Sequence, residues 1–352
     1  MARSGRALRV VHLDSALEWR GGQTQLLLLV RELGTSVEQH VVLPPGAALR
    51  SALRDQPAEV TPFGGVLALR RRLAELRPDV VAAHTSRAHT LALLAGAGPL
   101  VVHRRVDFSP RLSWKYRVTP GFVAVSDAVA AVLRRSGVAP ERIQVVRDGV
   151  DLHRWQRPEP VELGVPRPFV LAVGALVPHK GHVHLVDALR QLPGLHAVIL
   201  GEGPLRASLA ARARTQGVAA RLHLPGAVAD PRPWYASAAV VVHPSVEEGL
   251  GQALIEAFLC GAAVVATDAG GVPEVVAGRG LLVPRGDAGA LANGIRAAIA
   301  EPHRFRADRA EVAAQFGAAR MAAETLSAWG ALTRPAEPRR AGTSWWPRRS
   351  RS

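Results

Sequence analysis

Cysteine and aromatic residues are scarce in this chain of 352 residues. A single cysteine, Cys260, excludes an intramolecular disulfide framework and a zinc site built from cysteines, and it indicates a reducing compartment. Aromatic residues make up 5% of the chain, whereas hydrophobic residues make up 48%. The core is therefore expected to consist of valine, leucine and alanine, as is typical of parallel sheets buried on both faces by helices.

Long apolar runs are also lacking. No stretch of about 18 residues is both apolar and free of charge, so the sequence predicts no transmembrane helix. The apolar run behind the basic segment Met1–Arg9 is interrupted by His12 and Asp14, which argues against a secretory signal. We expect a cytoplasmic protein, either free or peripheral on the inner face of the cytoplasmic membrane.

Lysine is scarce too, because Lys115 and Lys180 are the only two lysines among 44 basic residues. The net charge of +15 is spread unevenly: residues 1–157 carry 23 basic against 13 acidic side chains, and residues 158–330 carry 15 against 15. A basic first half indicates an anionic partner, such as a phosphorylated acceptor or an anionic membrane surface. A genome that uses arginine as its general solvated residue would explain the excess equally well.

Short apolar segments alternate with amphipathic segments, which predicts parallel sheets joined by helices. The two halves open alike, with Leu8–Leu13 and Phe169–Val173 each leading through a glycine-containing loop into a helix. Four prolines in Asp151–Pro168 mark the join between the halves. We therefore predict an α/β protein with two Rossmann-like domains and a basic, disordered tail, over residues 1–157, 158–331 and 332–352.

The densest chemical signal is the segment PSVEEGLGQALIE at residues 244–256, which follows a predicted strand. Its glycines let the backbone approach a ligand, and the helix that begins after them offers free N–H groups to a phosphate or a sugar. Glu248 in the loop and Glu256 in the helix are placed to accept hydrogen bonds from different hydroxyls of one ligand. The alternative is that Glu248 is an ordinary first-turn acid and Glu256 a solvated residue.

This segment resembles the E-x7-E element of the family 4 glycosyltransferases, and the resemblance extends from Arg9 to about Ala331. The loop GALVPHKG at 174–181 is similar to that family's diphosphate-binding loop. Further similar segments are VSD at 125–127, VRDGVD at 146–151, LGEGP at 200–204 and TDAGGVPE at 267–274. The resemblance implies the GT-B fold, in which two Rossmann-like domains face each other across a cleft and the C-terminal helix returns to the N-terminal domain.

The resemblance also implies roles for individual residues. Glu248 would contact the donor sugar, Glu256 the ribose hydroxyls, and Lys180 the leaving diphosphate, where a fixed cation lowers the barrier. The implied donor-binding set is Gly21, Gly22, Gly174, Lys180, Gly203, Glu248, Gly249, Leu250, Gly251 and Glu256. The implied catalytic set is Glu248, Lys180 and His84, the last of which ends a predicted strand and is expected to face the cleft on the acceptor side. The alternatives are a solvated lysine in a turn and a histidine that only caps a helix.

Two positions depart from the family's pattern. Ala175 stands where the family often has arginine, so a second cation for the diphosphate is missing, and Arg20 or Arg147 is a candidate substitute. Asp148 stands where the family often has asparagine, a change that turn chemistry tolerates. A protein that binds a nucleotide sugar without turning it over is therefore one alternative.

Cations and aromatic side chains alternate in the segment 104–117 of the first half, where the candidate residues are Arg104, Arg105, Trp114 and Lys115. Such a surface would suit a lipid-linked or phosphorylated acceptor at a membrane, and a solvated, partly packed helix is the equal alternative. Nucleic acid is not expected as a partner, because no known binding module surrounds the segment.

Metal ligands in a suitable pattern are missing as well. No Asp-x-Asp pair occurs, and the spacing of His179, His182 and His184 does not place all three on one helical face, so no metal is expected. The sequence thus predicts a retaining, metal-independent glycosyltransferase without a cofactor. Its substrates would be a UDP-, GDP- or ADP-linked sugar and a hydroxyl acceptor, such as a cell-envelope lipid or polysaccharide precursor. A nucleotide-sugar epimerase is a further alternative.

Overall fold

The computed structural model describes residues 6–107, 114–155 and 158–334, and within them two parallel sheets are flanked by helices. The first sheet contains β1 (Leu8–Leu13), β2 (Val37–Leu43), β3 (Glu59–Pro62), β4 (Val80–Ala83), β5 (Leu100–Arg104), β6 (Gly121–Ala124) and β7 (Ile143–Val145). The second contains β8 (Phe169–Val173), β9 (His196–Leu200), β10 (Leu222–Gly226), β11 (Val240–His243), β12 (Val264–Thr267) and β13 (Leu281–Val283).

Helices connect these strands on both faces of each sheet. Those of the first half are α1 (Gly21–Leu33), α2 (Leu49–Ala52), α3 (Val66–Leu76), α4 (Ser86–Leu94), α5 (Trp114–Val118) and α6 (Asp127–Arg135). Those that follow are α7 (His182–Leu189), α8 (Arg206–Thr215), α9 (Arg232–Ser237), α10 (Gln252–Leu259), α11 (Val272–Val276), α12 (Ala288–Ala300), α13 (Arg309–Phe316) and α14 (Ala318–Thr333). The predicted tail beyond residue 334 and the central part of the cation–aromatic segment lie outside the described residues.

Each sheet is wound outward from its first strand. The strand orders are β3-β2-β1-β4-β5-β6-β7 and β10-β9-β8-β11-β12-β13, and every neighbouring pair is parallel. The winding direction reverses beside β1 and beside β8, which opens a crevice for a ligand at the carboxyl ends of those strands. The predicted pair of Rossmann-like domains is confirmed.

Small aliphatic residues supply the core of both domains, as the composition predicted. All four residues of β4 are at most 1% exposed, and Val10 and Val11 of β1 are fully buried. Burial on both faces explains why these strands read as continuous apolar runs rather than as alternating patterns.

The last helix leaves the second half of the chain and packs on the first sheet. Trp329 of α14 is fully buried, and its Nε1 donates to His103 Nε2 at 3.1 Å. The return is anchored where Gly317 pairs with Val150, with Val150 N donating to Phe316 O at 2.8 Å and Ala318 N to Val150 O at 3.0 Å. The C-terminal helix thus returns to the N-terminal domain, and both chain crossings between the domains lie side by side.

Direct contacts join the carboxyl edges of the two sheets. Ser126 Oγ donates to Gly249 O at 2.7 Å, and Arg147 forms an ion pair with Glu274 at 2.7 Å. The Ala128 N–H donates to the same Glu274 carboxylate at 3.1 Å. Among the described residues, no helix is long and apolar enough to cross a membrane.

Candidate functional site

The loop between β11 and α10 lies against the first domain. Glu248 N donates to Asp107 Oδ2 at 2.9 Å, and a Cβ at position 249 would overlap the carbonyl oxygen of Arg105. Only glycine permits this approach, because any other residue would push the two backbones apart. The loop that carries Glu248 therefore forms one wall of the contact between the domains.

A second loop approaches the first from within the same domain. A Cβ at Gly181, whose φ is +62°, would overlap the carbonyl oxygen of Pro244. The Val246 N–H also donates to His179 O at 2.9 Å. These contacts bring Lys180, at the end of the loop after β8, next to Glu248 although 68 residues separate them in the chain.

The Glu248 carboxylate is held through one of its oxygens. Oε2 lies 2.5 Å from Lys180 Nζ, 2.9 Å from His243 Nε2 and 3.4 Å from Ser245 Oγ. Burial by itself would raise the pKa of Glu248, but the Lys180 charge and the hydrogen bonds from His243 and Lys180 outweigh it and hold that pKa well below its usual range. Among the described residues, Oε1 has no hydrogen-bond partner, so the ionised carboxylate has an acceptor free for a ligand hydroxyl.

His243 and Ser245 also contact Glu248, although neither was predicted from the sequence to be a site residue. His243 is 4% exposed and Ser245 1% exposed, and Ser245 Oγ lies 3.0 Å from His243 Nε2. Thr267 Oγ1 donates to the carbonyl oxygens of both residues, at 3.2 and 2.5 Å. The available signal was position, since His243 ends a buried strand directly before the Glu248 loop.

Glu256 occupies a different environment, one turn inside α10. Its Oε2 accepts a hydrogen bond from the fully buried Tyr235 hydroxyl at 3.2 Å. Burial raises the pKa of Glu256 to about 7, and the Tyr235 hydrogen bond opposes that rise. Glu256 is therefore partly buried rather than fully solvated, and in its ionised form it accepts hydrogen bonds from hydroxyl groups.

The start of α1 faces the start of α10 across the domain contact. Helix α1 begins at Gly21, because the Arg20 N–H donates to Gln23 Oε1 at 3.1 Å and caps the helix there. A Cβ at Gly21 would lie 3.7 Å from Gln252 Oε1, whereas one at Gly22 would meet nothing within 4 Å. Two helix N-termini converging in this way create positive potential suited to an anion.

The remaining residues of the predicted donor-binding set lie in the loops of the second domain. Gly251 immediately precedes α10, and Leu250 beside it is 4% exposed. Gly174 follows β8, close to the Lys180 side chain, and Gly203 packs against the backbone of Leu176. The structure thus brings Gly174, Lys180 and Glu248 together, and Glu256 lies one turn into α10, the helix that follows the Glu248 loop.

The two candidate substitutes for a cation at position 175 are engaged elsewhere. Arg147 pairs with Asp127 at 2.8 Å and with Glu274, while Arg20 pairs with Glu18 at 2.6 Å. Ala175 itself is exposed. Among the described residues, neither arginine forms a hydrogen bond or an ion pair with the loop that carries Lys180.

His84 lies in a buried group of imidazoles. Its Nε2 is 3.1 Å from His12 Nδ1, its ring stacks on His103 at 4.6 Å between ring centroids, and it is 6% exposed. Burial, followed by the charges of His103, His12 and Arg105, lowers the pKa of His84 well below its usual value. His84 is thus a largely buried, neutral ring between His12 and His103, and those two rings in turn contact Trp329.

Three of the four residues predicted for the acceptor side are committed to contacts within the first domain. Arg104 is 7% exposed and donates to the Tyr116 hydroxyl at 2.6 Å, so the expectation that it forms part of a surface is wrong. Arg105 Nε donates to Asp148 Oδ1 at 3.0 Å, and Lys115 Nζ donates to Ser86 Oγ at 2.9 Å. Trp114 remains exposed, at 58%.

No cluster of three or more histidine, cysteine or carboxylate side chains suited to a metal ion occurs among the described residues. His182, one of the three histidines in the sequence cluster, is 2% exposed and packs at the start of α7.

Comparison with known proteins agrees with this architecture. Residues 10–154 match the model described as Glycosyltransferase Family 4, and residues 167–301 match the model described as Glycosyl transferases group 1. The alpha-maltose-1-phosphate synthase of Mycolicibacterium smegmatis is 35% identical over 61% of this chain and 65% of its own length, so this chain spans just under two thirds of it.

Two further relatives are matched over most of their length. The lipopolysaccharide core biosynthesis glycosyltransferase LpsE of Rhizobium meliloti is 29% identical over 83% of this chain and 84% of its own. The structure of Anabaena Alr3699/HepE in complex with UDP-glucose superposes with a TM-score of 0.78 at 25% identity, covering 91% of this chain and 99% of that one. With both domains matched, in order, by family models, the chain belongs to the family 4 glycosyltransferases.

Proposed function

We propose that this protein is a retaining glycosyltransferase that moves a sugar from a nucleoside diphosphate sugar to a hydroxyl acceptor. The observation that carries the proposal is the Lys180–Glu248 pair beside two converging helix N-termini. That arrangement offers a cation, free N–H groups and a carboxylate acceptor within one cleft, which together suit a diphosphate attached to a sugar.

The ion pair suggests how the donor is received. A bound diphosphate would draw the Lys180 ammonium away from Glu248, and His243 and Ser245 would keep the carboxylate in place through Oε2. The free Oε1 would then accept from a hydroxyl of the donor sugar, and Glu256 from the ribose hydroxyls. Glu248 and Glu256 would bind different parts of the donor, because Glu248 lies in the loop before α10 and Glu256 lies within that helix.

Transfer would proceed as the diphosphate leaves. The bond between the anomeric carbon and the leaving oxygen breaks, the acceptor hydroxyl bonds to that carbon from the same face, and its proton passes to the departing phosphate. Lys180 and the N-termini of α1 and α10 stabilise the negative charge that develops on the leaving group. No protein nucleophile and no metal ion is needed in this scheme.

A UDP-sugar is the first donor to test, because the Anabaena relative was solved with UDP-glucose. A cell-envelope acceptor is proposed because the Rhizobium relative is named for lipopolysaccharide core biosynthesis. With these proposed substrates, we expect the activity in the cytoplasm or at the inner face of the cytoplasmic membrane.

The test is a thermal-shift screen against UDP-, GDP- and ADP-glucose, followed by donor hydrolysis and transfer assays. A donor at one hundred times its Kd stabilises the folded protein by about 2.7 kcal/mol. Glu248→Ala should still fold but should lose turnover with the selected donor. Donor conversion without an acceptor would instead indicate an epimerase, and nucleoside diphosphate binding without turnover of any donor would indicate a binding protein.

A further inference from the structure

A cavity of about 220 Å³ lies in the first domain, at the carboxyl edge of its sheet. Its walls come from the chain after β1, from the ends of β2 and β3, and from α3 and α4. Most of the lining is apolar, including Leu13, Leu17, Val42, Phe63, Leu69 and Leu91. A second cavity of about 290 Å³ shares Val42, Phe63 and Leu69 with it, but its remaining lining includes Arg71, Arg72 and Glu75, so the apolar space is confined to the first cavity.

The polar groups inside the first cavity are already paired. Asp14 accepts from Ala16 N at 2.7 Å and from Gln23 Nε2 at 2.9 Å, and Ser15 Oγ lies 2.7 Å from Thr85 Oγ1. The interior therefore offers a ligand mainly apolar contact, which favours a hydrocarbon over a sugar ring.

The cavity reaches the surface beside a cation. Leu17 is 60% exposed, and Arg87 is exposed as well, although both line the cavity. Within the described part of the chain, Arg87 has no ion pair. An apolar interior with a cationic entrance complements a molecule that has an apolar chain and an anionic group.

The cavity wall is also connected to the proposed donor site. Asp14 holds Gln23, and Gln23 caps the start of α1, where Gly21 faces Gln252 of α10. A molecule in the cavity would therefore be separated by the hydrogen-bonded pair Asp14 and Gln23 from the helix N-termini that are proposed to receive the diphosphate.

We propose that this cavity binds the alkyl or prenyl chain of the acceptor, whose anionic group lies at Arg87. The proposal rests on the proposed glycosyltransferase function and narrows its acceptor to an amphipathic, anionic class. In this proposal, Leu17 and Arg87 at the cavity entrance select the acceptor, rather than the segment 104–117 in which cations and aromatic side chains alternate.

The experiment uses octyl phosphate, below its micelle-forming concentration, and ethyl phosphate as probes of the full-length protein in titration calorimetry. Each buried methylene tightens binding about fourfold, so three buried methylenes give about a sixtyfold lower Kd for octyl phosphate. Equal Kd values for the two probes would overturn the proposal.

Two matched surface variants locate the binding site. Leu17→Asp introduces a charge at the entrance and should weaken octyl phosphate at least tenfold, whereas Leu94→Asp should leave its Kd unchanged, because Leu94 is 57% exposed in the same domain but does not line the cavity. Arg87→Gln should weaken octyl phosphate but not the uncharged octyl glucoside. An unchanged Kd for Leu17→Asp, or equal losses in both leucine variants, contradicts the assignment.

UDP binding, measured on the same proteins, separates this proposal from the proposed function. If UDP binds and octyl phosphate does not, the acceptor assignment fails and the donor site stands. If octyl phosphate binds in the predicted pattern and no nucleoside diphosphate binds, the cavity stands and the proposed function fails.

Discussion

Replacing Lys180 by alanine is the most direct perturbation of the proposed donor site. The Nζ atom lies 2.5 Å from Glu248 Oε2, and the side chain is 21% exposed, so its charge acts in a partly dehydrated site. Ala175 supplies no second charge, and Arg20 and Arg147 pair with carboxylates away from the loop. Removing one preorganised donor from developing negative charge costs about 2.7–4 kcal/mol. We therefore expect the Lys180→Ala variant to lose about 100- to 1000-fold in kcat.

The assay is steady-state transfer or hydrolysis of the donor selected by the thermal-shift screen, with thermal unfolding of each variant measured in parallel. Arg212→Ala is the control, because this basic residue pairs with Asp187 on the surface of the second domain and should keep full activity. Lys180→Arg should recover part of the lost rate, since it restores the charge but not the compact ammonium. A folded Lys180→Ala enzyme with kcat within threefold of the parent would refute the assignment of Lys180 to the leaving group.

Three further outcomes follow from the same site. His243→Ala should lower kcat about tenfold, because it removes roughly one hydrogen bond to a charged group. It should also move the acid limb of the plot of kcat against pH to higher pH, because His243 helps to lower the pKa of Glu248. His243→Gln, which can still donate, should restore most of the rate, and identical pH profiles for all three proteins would contradict this role. Burial raises the pKa of Glu256 from 4.5 to about 7, so the folded state binds the proton more tightly than the unfolded chain does. Relative to Glu256→Gln, the parent should therefore lose on the order of 3 kcal/mol of unfolding free energy as the pH rises from about 4.5 to 7, as measured by urea unfolding. A difference in unfolding free energy that stays constant over this pH range would disprove the prediction. Gly249→Ala should push the Glu248 loop away from the Arg105 backbone and lower donor turnover at least tenfold. Gly330→Ala is the control and should keep its turnover, because there is open space around this position in α14. Equal activities of the two variants would show that the contact between Gly249 and Arg105 tolerates a side chain.

Local patterns in the chain were sufficient to predict the two-domain fold. Apolar runs such as VVAA in β4 mark strands that are buried on both faces, and glycines lie at the start of the helices that follow β1 and β8, where each sheet changes winding direction. The resemblance to the family 4 glycosyltransferases also implied that Glu248 and Lys180 share one donor site. The strands and loops themselves are local in sequence, so composition and spacing were enough to predict them.

The state of each side chain was not predictable in the same way. Arg104 ends an apolar strand and reads as part of a basic surface, yet the strand places it against Tyr116 in the interior. His12 and His103 lie in β1 and β5, and His84 directly follows β4. They form one buried group only because these three strands are neighbours and α14 covers them. Long-range packing, rather than local preference, determines which of these polar groups contact water.

The sequence by itself thus determined the fold, the family and the identity of Glu248, Glu256 and Lys180 as candidate site residues, because strand periodicity, glycine placement and motif spacing are written along the chain. Only the tertiary structure decided that Glu248 is held ionised by Lys180 and His243 and that burial raises the pKa of Glu256. It also created the apolar cavity between the chain after β1 and helices α3 and α4. Those properties depend on distances and dehydration among residues far apart in sequence, and only the folded chain sets them.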